Sequence, residues 1–531
     1  MTNGSGTTTA NVTSVQVTCT TVTRTVGGTV SNLVGTGLQL QDNGGDTLSV
    51  NANGPFIFST ALDDGSAYAV TVSTQPSSPS QTCSVANGTG TATADVTNVL
   101  VDCAHNEWTW VGGSDVVNQS GFYGILGAPT ADNIPGARYG GAAWTDPSGN
   151  KWLFGGAGYD SAGTYGSLND LWRFSGGKWT WMGGSNVINQ AGTYGTLGIP
   201  AADNIPGARY AVAAWTDASG GLWLFGGYGY DSAGGTLGGL NDLWKYSGGQ
   251  WTWMGGSDVV NQKGTYGTLG TPAVTNVPGA RAGEVSWTDA SGNLWLFGGV
   301  GYDSAGAAGE LNDVWMYHWG EWTWMGGSKV VSQKGTYGIL GTPAAANTPG
   351  GREGAMTWTD ASGNVWLFGG AGYDSAGTFG HLNDLWKYRW GEWTWMGGSN
   401  LVNHAGSYGT LGAAAASNVP GARDYGMTWT DASGKVWLFG GSGYDSVGTP
   451  GRLNDLWKYD GGQWTWMGGS AVVNQQGTYG TGTPYPGNIP GARFGSAAWT
   501  DASGNLWLFG GVGYDSAGAE DQLNDLWMFE P

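Results

Sequence analysis

The heptapeptide WTW(V/M)GGS occupies residues 108–114 and returns at 179–185, 251–257, 322–328, 393–399 and 464–470. The intervals are 71, 72, 71, 71 and 71 residues. A fixed period of this length marks a repeat architecture, in which each unit buries its apolar face only by stacking on its neighbours. Between copies the chain runs through an Arg-led apolar segment ending in Trp, then TD(A/P)SG, WLFGG, GYDS(A/V)G and LND(L/V)W. The apolar runs are short, bounded by Gly, Asp and Ser, and lack helical periodicity, so they read as strands. Four strands per unit are expected. In the first copy they are the run after Arg138, Lys151 to Phe154, Asp170 to Phe174, and Trp179 to Met182.

Working outward, the last copy runs through Arg493 and Trp527 to Pro531 with no WTW after it, while Trp108 precedes any complete copy. Trp108 to Val111 is therefore expected to be the fourth strand of the sheet whose other strands come from the C-terminus, closing a ring. Paired glycines after an apolar strand (Gly155-Gly156), an aromatic strand and a spaced Trp resemble the kelch repeat of galactose-oxidase-like propellers. The resemblance spans 108 to 531 and implies an all-β fold, a six-bladed kelch-type β-propeller over 105–531. Its units are longer than the kelch period of about 50 residues, so each carries extra loop.

A second repeat opens the chain. NGSGTTTANVTSVQVTCT at 3–20 returns as NGTGTATADVTNVLVDCA at 87–104. Residues 1–20 thus read as the terminal strand of a truncated preceding repeat, and 21–104 as one complete N-terminal β-sandwich domain. Its β-branched alternating runs and Gly, Asn, Asp and Pro turns resemble the immunoglobulin-like repeats of bacterial surface proteins. Cys83 and Cys103 are expected to pair within it, and Cys19, the counterpart of Cys103, to lack its partner.

Composition narrows the function classes. A net charge of −20 with only 19 Lys and Arg argues against nucleic acid and anionic membrane surfaces, which call for clustered cations. No apolar run reaches the roughly 18 residues of a membrane span. All three cysteines lie in the first 103 residues, which suits an oxidising compartment, so the expected location is secreted or cell-surface. The start MTNGSGTTTANV has neither a basic nor an apolar leader region, and an export signal is expected upstream of it.

Because most residues recur sixfold, the scaffold explains them. Five Trp per copy and the loop tyrosines, such as Tyr123 and Tyr159, read as packing, and the Arg series from Arg138 to Arg493 as pairing with the Asp of LND. Departures from the repeat are candidates for function. Along the innermost strand, Tyr139, Tyr210, Glu353 and Asp424 occupy one variable position and Glu284 another, two residues on. Strict alternation would put both positions on one face, so Glu284, Glu353 and Asp424 are expected to gather at the channel mouth. Such a cluster would bind a cation or serve acid/base chemistry. Calcium is the one cofactor left open, through these acids and the Asp-rich turns. A partner patch is expected at His318, Trp319, Arg389 and Trp390, where three complete copies have Gly-Gly.

With no Cys beyond residue 103 and His only at 105, 318, 381 and 404, the chain departs from the copper constellation of galactose oxidase relatives. The leading expectation is a binding or structural surface module presenting its loop-rich face to a glycan or surface protein. A glycan-directed hydrolase, lyase or epimerase using the mouth carboxylates is the second. Assembly into a filament through the N-terminal strand Asn11 to Cys19 is the third.

Overall fold

A computed structural model of the chain describes residues 6–7, 9–11, 13, 17, 19–33, 35–77, 81–104, 107–480 and 487–531. Every regular element in it is a strand. Two compact units separate, Met1–Asn106 and Glu107–Pro531.

The first unit has two four-stranded sheets. One runs Gly54–Ile57, Val26–Ser31, Val96–Ala104 and Thr82–Ala86, and the other Asp46–Val50, Leu38–Asp42, Ser66–Thr74 and Thr89–Ala92. Alternate residues of Leu38–Asp42 are buried, as a strand with one face on a core requires. Val26, Val30, Leu40, Val70, Val99 and Val101 share that core. Cys103 lies opposite Cys83 in register and is disulfide-bonded to it, while Cys19 is free and exposed. The strand expected over Asn11 to Cys19 lies largely outside the described residues.

The second unit is a β-propeller-type arrangement of repeated four-stranded sheets. In the first, Ala142–Thr145, Lys151–Tyr159, Tyr165–Ser175 and Lys178–Gly183 pair antiparallel in that order. The innermost segments touch one another in chain order, Ala142–Thr145, Ala213–Thr216, Val285–Thr288, Met356–Thr359, Met427–Thr430 and Ala497–Thr500, and the last returns to the first. Glu107–Gly112 pairs with Glu520–Glu530, with Trp108 opposite Phe529, so both ends of the second unit share the closing sheet.

Two features differ from the sequence expectation. The second and third strands do not stop at Phe154 and start at Asp170 but run on to Tyr159 and from Tyr165. Gly155 and Gly156, at φ of 63° and 104°, form a bulge that carries them past the break. A Cβ on Gly155 would stand 2.8 Å from the carbonyls of Arg209 and Leu168, so a side chain is excluded there. GYDSAG is consequently a tight hairpin, closed by Asp160 Oδ1 accepting the N–H groups of Ala162 and Thr164 at 2.9 Å. The innermost strand, in turn, is broken in two at Gly140.

Polar groups in the core are closed off sheet by sheet. Arg281 Nη1 and Nη2 donate to Asp313 Oδ1 and Oδ2 at 2.7 and 2.8 Å, and the same bidentate pair recurs from Arg138–Asp170 to Arg493–Asp525. Tyr266 Oη and Trp315 Nε1 donate to the same Asp313 carboxylate at 2.6 and 2.7 Å, which pins the long connecting loop to the next sheet. Asp146 of TDPSGN accepts from the backbone of Ser148 and Asn150 and from Trp152 Nε1, so the Asp-rich turn is satisfied from within.

Candidate functional site

Six residues, each two positions after a core Arg, surround the axis: Gly140, Ala211, Gly283, Gly354, Tyr425 and Gly495. All have left-handed φ, between 46° and 67°. Each N–H donates to the carbonyl of its counterpart in the preceding sheet at 2.7–3.0 Å, and Gly140 closes the circle on Gly495. This backbone ring spans the channel. The left-handed residue reverses the alternation of the strand, and that decides which side chains meet.

The residue before the ring position lies laterally in line with one on the third strand: Glu353 with His381 across Ala371, Asp424 with Arg452 across Ser442, and Ala282 with Glu310 across Val300. Around the mouth these rows fall into two halves. On one, Tyr228, Tyr210, Tyr139 and Phe494 form an arc with successive centroids 5.8, 5.6 and 6.0 Å apart. On the other stand Glu353 and Asp424. Tyr425 crosses above Gly354 and Gly283, where its ring and hydroxyl fill the space a Cβ would take, and its Oη donates to Glu353 Oε2 at 2.8 Å.

The expectation that Glu284, Glu353 and Asp424 gather into one cluster is corrected. Glu284 follows the left-handed Gly283, and its Oε1 accepts the N–H of Ala213 at 3.3 Å, one layer further along the channel. It lines a small axial cavity of about 170 Å³ with Val212, Ala355 and Ser496. Among the described residues no three His, Cys, Asp or Glu side chains are placed to hold a metal ion. The structure therefore assembles a carboxylate pair and leaves Glu284 apart.

Burial raises Asp424 to about 7, and the neighbouring Glu353 charge adds to the shift while Arg452 opposes it. Glu353 is also raised, chiefly by burial. His381 Nε2 lies 3.6 Å from Asp424 Oδ2, but burial and the nearby Arg452 lower its pKa, so it gives little positive charge to the pair. Arg452 is itself engaged: Nε donates to Glu520 Oε1 and Nη1 to Ser442 Oγ, both at 2.8 Å, and the guanidinium lies 4.4 Å over Phe494. His381, Arg452 and Tyr425 are the mouth residues that the sequence reading passed over. His381 and Arg452 sit in a column before LND that differs in every copy (Ser, Gly, Glu, His, Arg and Gln), and Tyr425 breaks a ring column that is Gly or Ala in the other five.

Glu284 yields a pH prediction. With one oxygen unpartnered and the side chain buried, its pKa rises from 4.5 to about 8. The native state then keeps a proton that the unfolded chain releases, so stability present below about pH 4.5 is lost as pH climbs towards 8. Glu284→Gln should match the wild type in thermal unfolding at about pH 4 and exceed it at about pH 9 by a few kcal/mol, at ~1.4 kcal/mol per pH unit. Equal stability at both pH values would contradict a buried, protonated Glu284.

The expected partner patch sits on hairpin tips. Trp319 and Trp390 are 91% and 87% exposed, each at left-handed φ, 48° and 54°. His318 lies against Trp319 at 4.1 Å between ring centroids, and the Arg389 guanidinium covers Trp390 at 3.8 Å. A roomier crevice of about 510 Å³ beside Asn133 and Trp179 is lined largely by the same repeat positions as a smaller one of about 120 Å³ beside Asn418 and Trp464, so its lining belongs to the repeat.

No family model matches the chain, and no curated protein matches it. Among solved structures it is similar to that of YjhT, at 14% identity over 74% of this chain and 95% of that one, with a TM-score of 0.42. A fungal alcohol oxidase of the AA5 family, solved in complex with copper, aligns at 14% identity over 77% of each chain with a TM-score of 0.39. A protein of unknown function from Dyadobacter fermentans aligns at 10% over 75% of this chain and 96% of that one, with a TM-score of 0.40.

Proposed function

We propose that this chain is a secreted or cell-surface binding module. It comprises a six-bladed kelch-type β-propeller over 105–531, preceded by an immunoglobulin-like β-sandwich over 21–104, and its channel mouth takes a glycan. The observation that carries the reading is the two-sided mouth, with the aromatic arc of Tyr139, Tyr210 and Phe494 facing the Glu353 and Asp424 pair on a scaffold that otherwise repeats. Aromatic faces pack on the C–H face of a sugar, and carboxylates accept its hydroxyls, the division of labour expected of a small-molecule site. Sixfold packing does not require these residues, since one position in the repeat takes Tyr, Phe, Glu, Asp and, at residue 282, Ala. In a glycan-array screen of the intact chain, Tyr139→Ala/Tyr210→Ala should lose about tenfold or more in affinity with its melting temperature nearly unchanged. Full binding by that variant would place the ligand elsewhere.

One observation favours a second reading, glycan-directed catalysis. Asp424, held at about 7 beside Glu353, is poised to exchange a proton near neutrality. Turnover with a pH profile bending near 7 and abolished in Asp424→Asn would establish it, and glycan binding without turnover would leave the binding reading in place.

A further inference from the structure

We infer that the mouth selects glycans carrying a protonated, unacylated amine, an amino sugar in place of its N-acetyl or uronic acid counterpart. This rests on the mouth being the glycan site proposed above. Its basis is a charge imbalance. Glu353 and Asp424 stand on adjacent sheets, Glu310 is close enough to Glu353 to be felt electrostatically, and the one full cation felt at Asp424 is Arg452, which makes its ion pair with another acid. Arg452 is committed to Glu520, and His381 is held towards its neutral form. Asp424 is only 9% exposed, yet its Oδ1 meets no donor. That oxygen is itself covered, so a ligand acts on the carboxylate through charge, and a buried carboxylate short of donors gains most from a cation bound beside it. An ammonium supplies three N–H donors and a positive charge, and the facing Tyr139 and Tyr210 rings add cation–π attraction. A uronate would meet like charge, and an acetamide carries no charge with which to pair.

The test uses the intact chain with three probes of equal length: oligomers of glucosamine, of N-acetylglucosamine and of galacturonate, titrated calorimetrically. The free-amine oligomer should bind about tenfold or more tightly than the acetylated one, the gap expected of one charge-assisted pair, and the uronate should not bind. Glu353→Gln/Asp424→Asn should bring the first two within about twofold, because both probes lose the same hydroxyl contacts and only the amine also loses its charge partners, with the residual acetylated binding reporting an intact site. Arg452→Gln, which leaves Glu520 uncompensated, should shift the preference further towards the amine. Equal or tighter binding of the acetylated or uronate probe by the wild type overturns the inference while sparing the glycan reading. No binding by any probe overturns both.

Discussion

Asp313→Ala is expected to cost about 3–5 kcal/mol, a large share of the 5–15 kcal/mol that separates a typical folded domain from its unfolded state. The carboxylate is fully buried and takes both terminal nitrogens of Arg281, the Tyr266 hydroxyl and the Trp315 indole N–H. Removing it strands a guanidinium with no water to turn to, together with two neutral donors. The same arrangement keeps Tyr266 protonated, because burial and then the adjacent Asp313 charge raise the phenol. The loss is one of partnership more than of charge, so replacing three partners together, Arg281→Met/Asp313→Leu/Tyr266→Phe, which leaves only the Trp315 N–H among the carboxylate's donors unpaired, should recover much of the stability that Asp313→Ala forfeits. The solvent-exposed pair Lys435–Asp460 is the control, and Asp460→Ala should shift the denaturation midpoint by less than ~1 kcal/mol equivalent. Chemical denaturation of the four proteins decides the matter. An Asp313→Ala cost as small as the Asp460→Ala cost would show that water reaches the Arg281 pocket.

The Arg–Asp pairing at the centre of this network was readable in the sequence, because Arg and the Asp of LND recur together in all six copies and a buried Arg needs a bidentate partner, whereas the Tyr and Trp donors to the same carboxylate read only as packing. The closing strand was readable for a similar reason, as an unpaired motif at each end of a periodic array. The mouth was readable only by half. Tyr139, Tyr210, Glu353 and Asp424 stand out as departures from the repeat, and the structure does put them around one opening. Placing Glu284 with them relied on strict alternation, which fails wherever a left-handed residue intervenes. The Gly column at that position was the available sign of the kink. Tyr425 hid it, since a Tyr at φ of 46° is not something a strand pattern suggests. His381 and Arg452 were missed because the third strand was started at LND, after the positions they occupy, and the glycine bulge that extends the strand was read only as a motif.

Trp108→Ala should open the ring, with a packing loss of about 3–5 kcal/mol and a consequence that the same loss elsewhere in the ring does not have. Trp108 and Trp179 are each 4% exposed and hold equivalent places on the outermost strands of their sheets. Their neighbours match: Trp108 packs at 5.1 Å on Phe529 and 4.8 Å on Phe439 of the next sheet, Trp179 at 5.1 Å on Phe174 and 5.3 Å on Phe509. The local cost should therefore be similar. The connectivity is not. Lys178–Gly183 follows Tyr165–Ser175 after a two-residue turn, so a weakened strand stays beside its partner, whereas Glu107–Gly112 reaches Glu520–Glu530 only by closing almost the whole unit. Loop-closure entropy opposes that pairing and contact energy alone holds it. Once released, the strand uncovers Leu526, Trp527 and Phe529 and exposes an unpaired sheet edge, which invites exchange with a second copy. Limited proteolysis and size-exclusion chromatography should therefore separate the two variants. Trp108→Ala should be clipped near residues 107–112 and form dimers at high concentration, and Trp179→Ala should remain a protected monomer. Identical behaviour of the two would mean that the terminal strand is not what keeps the ring closed.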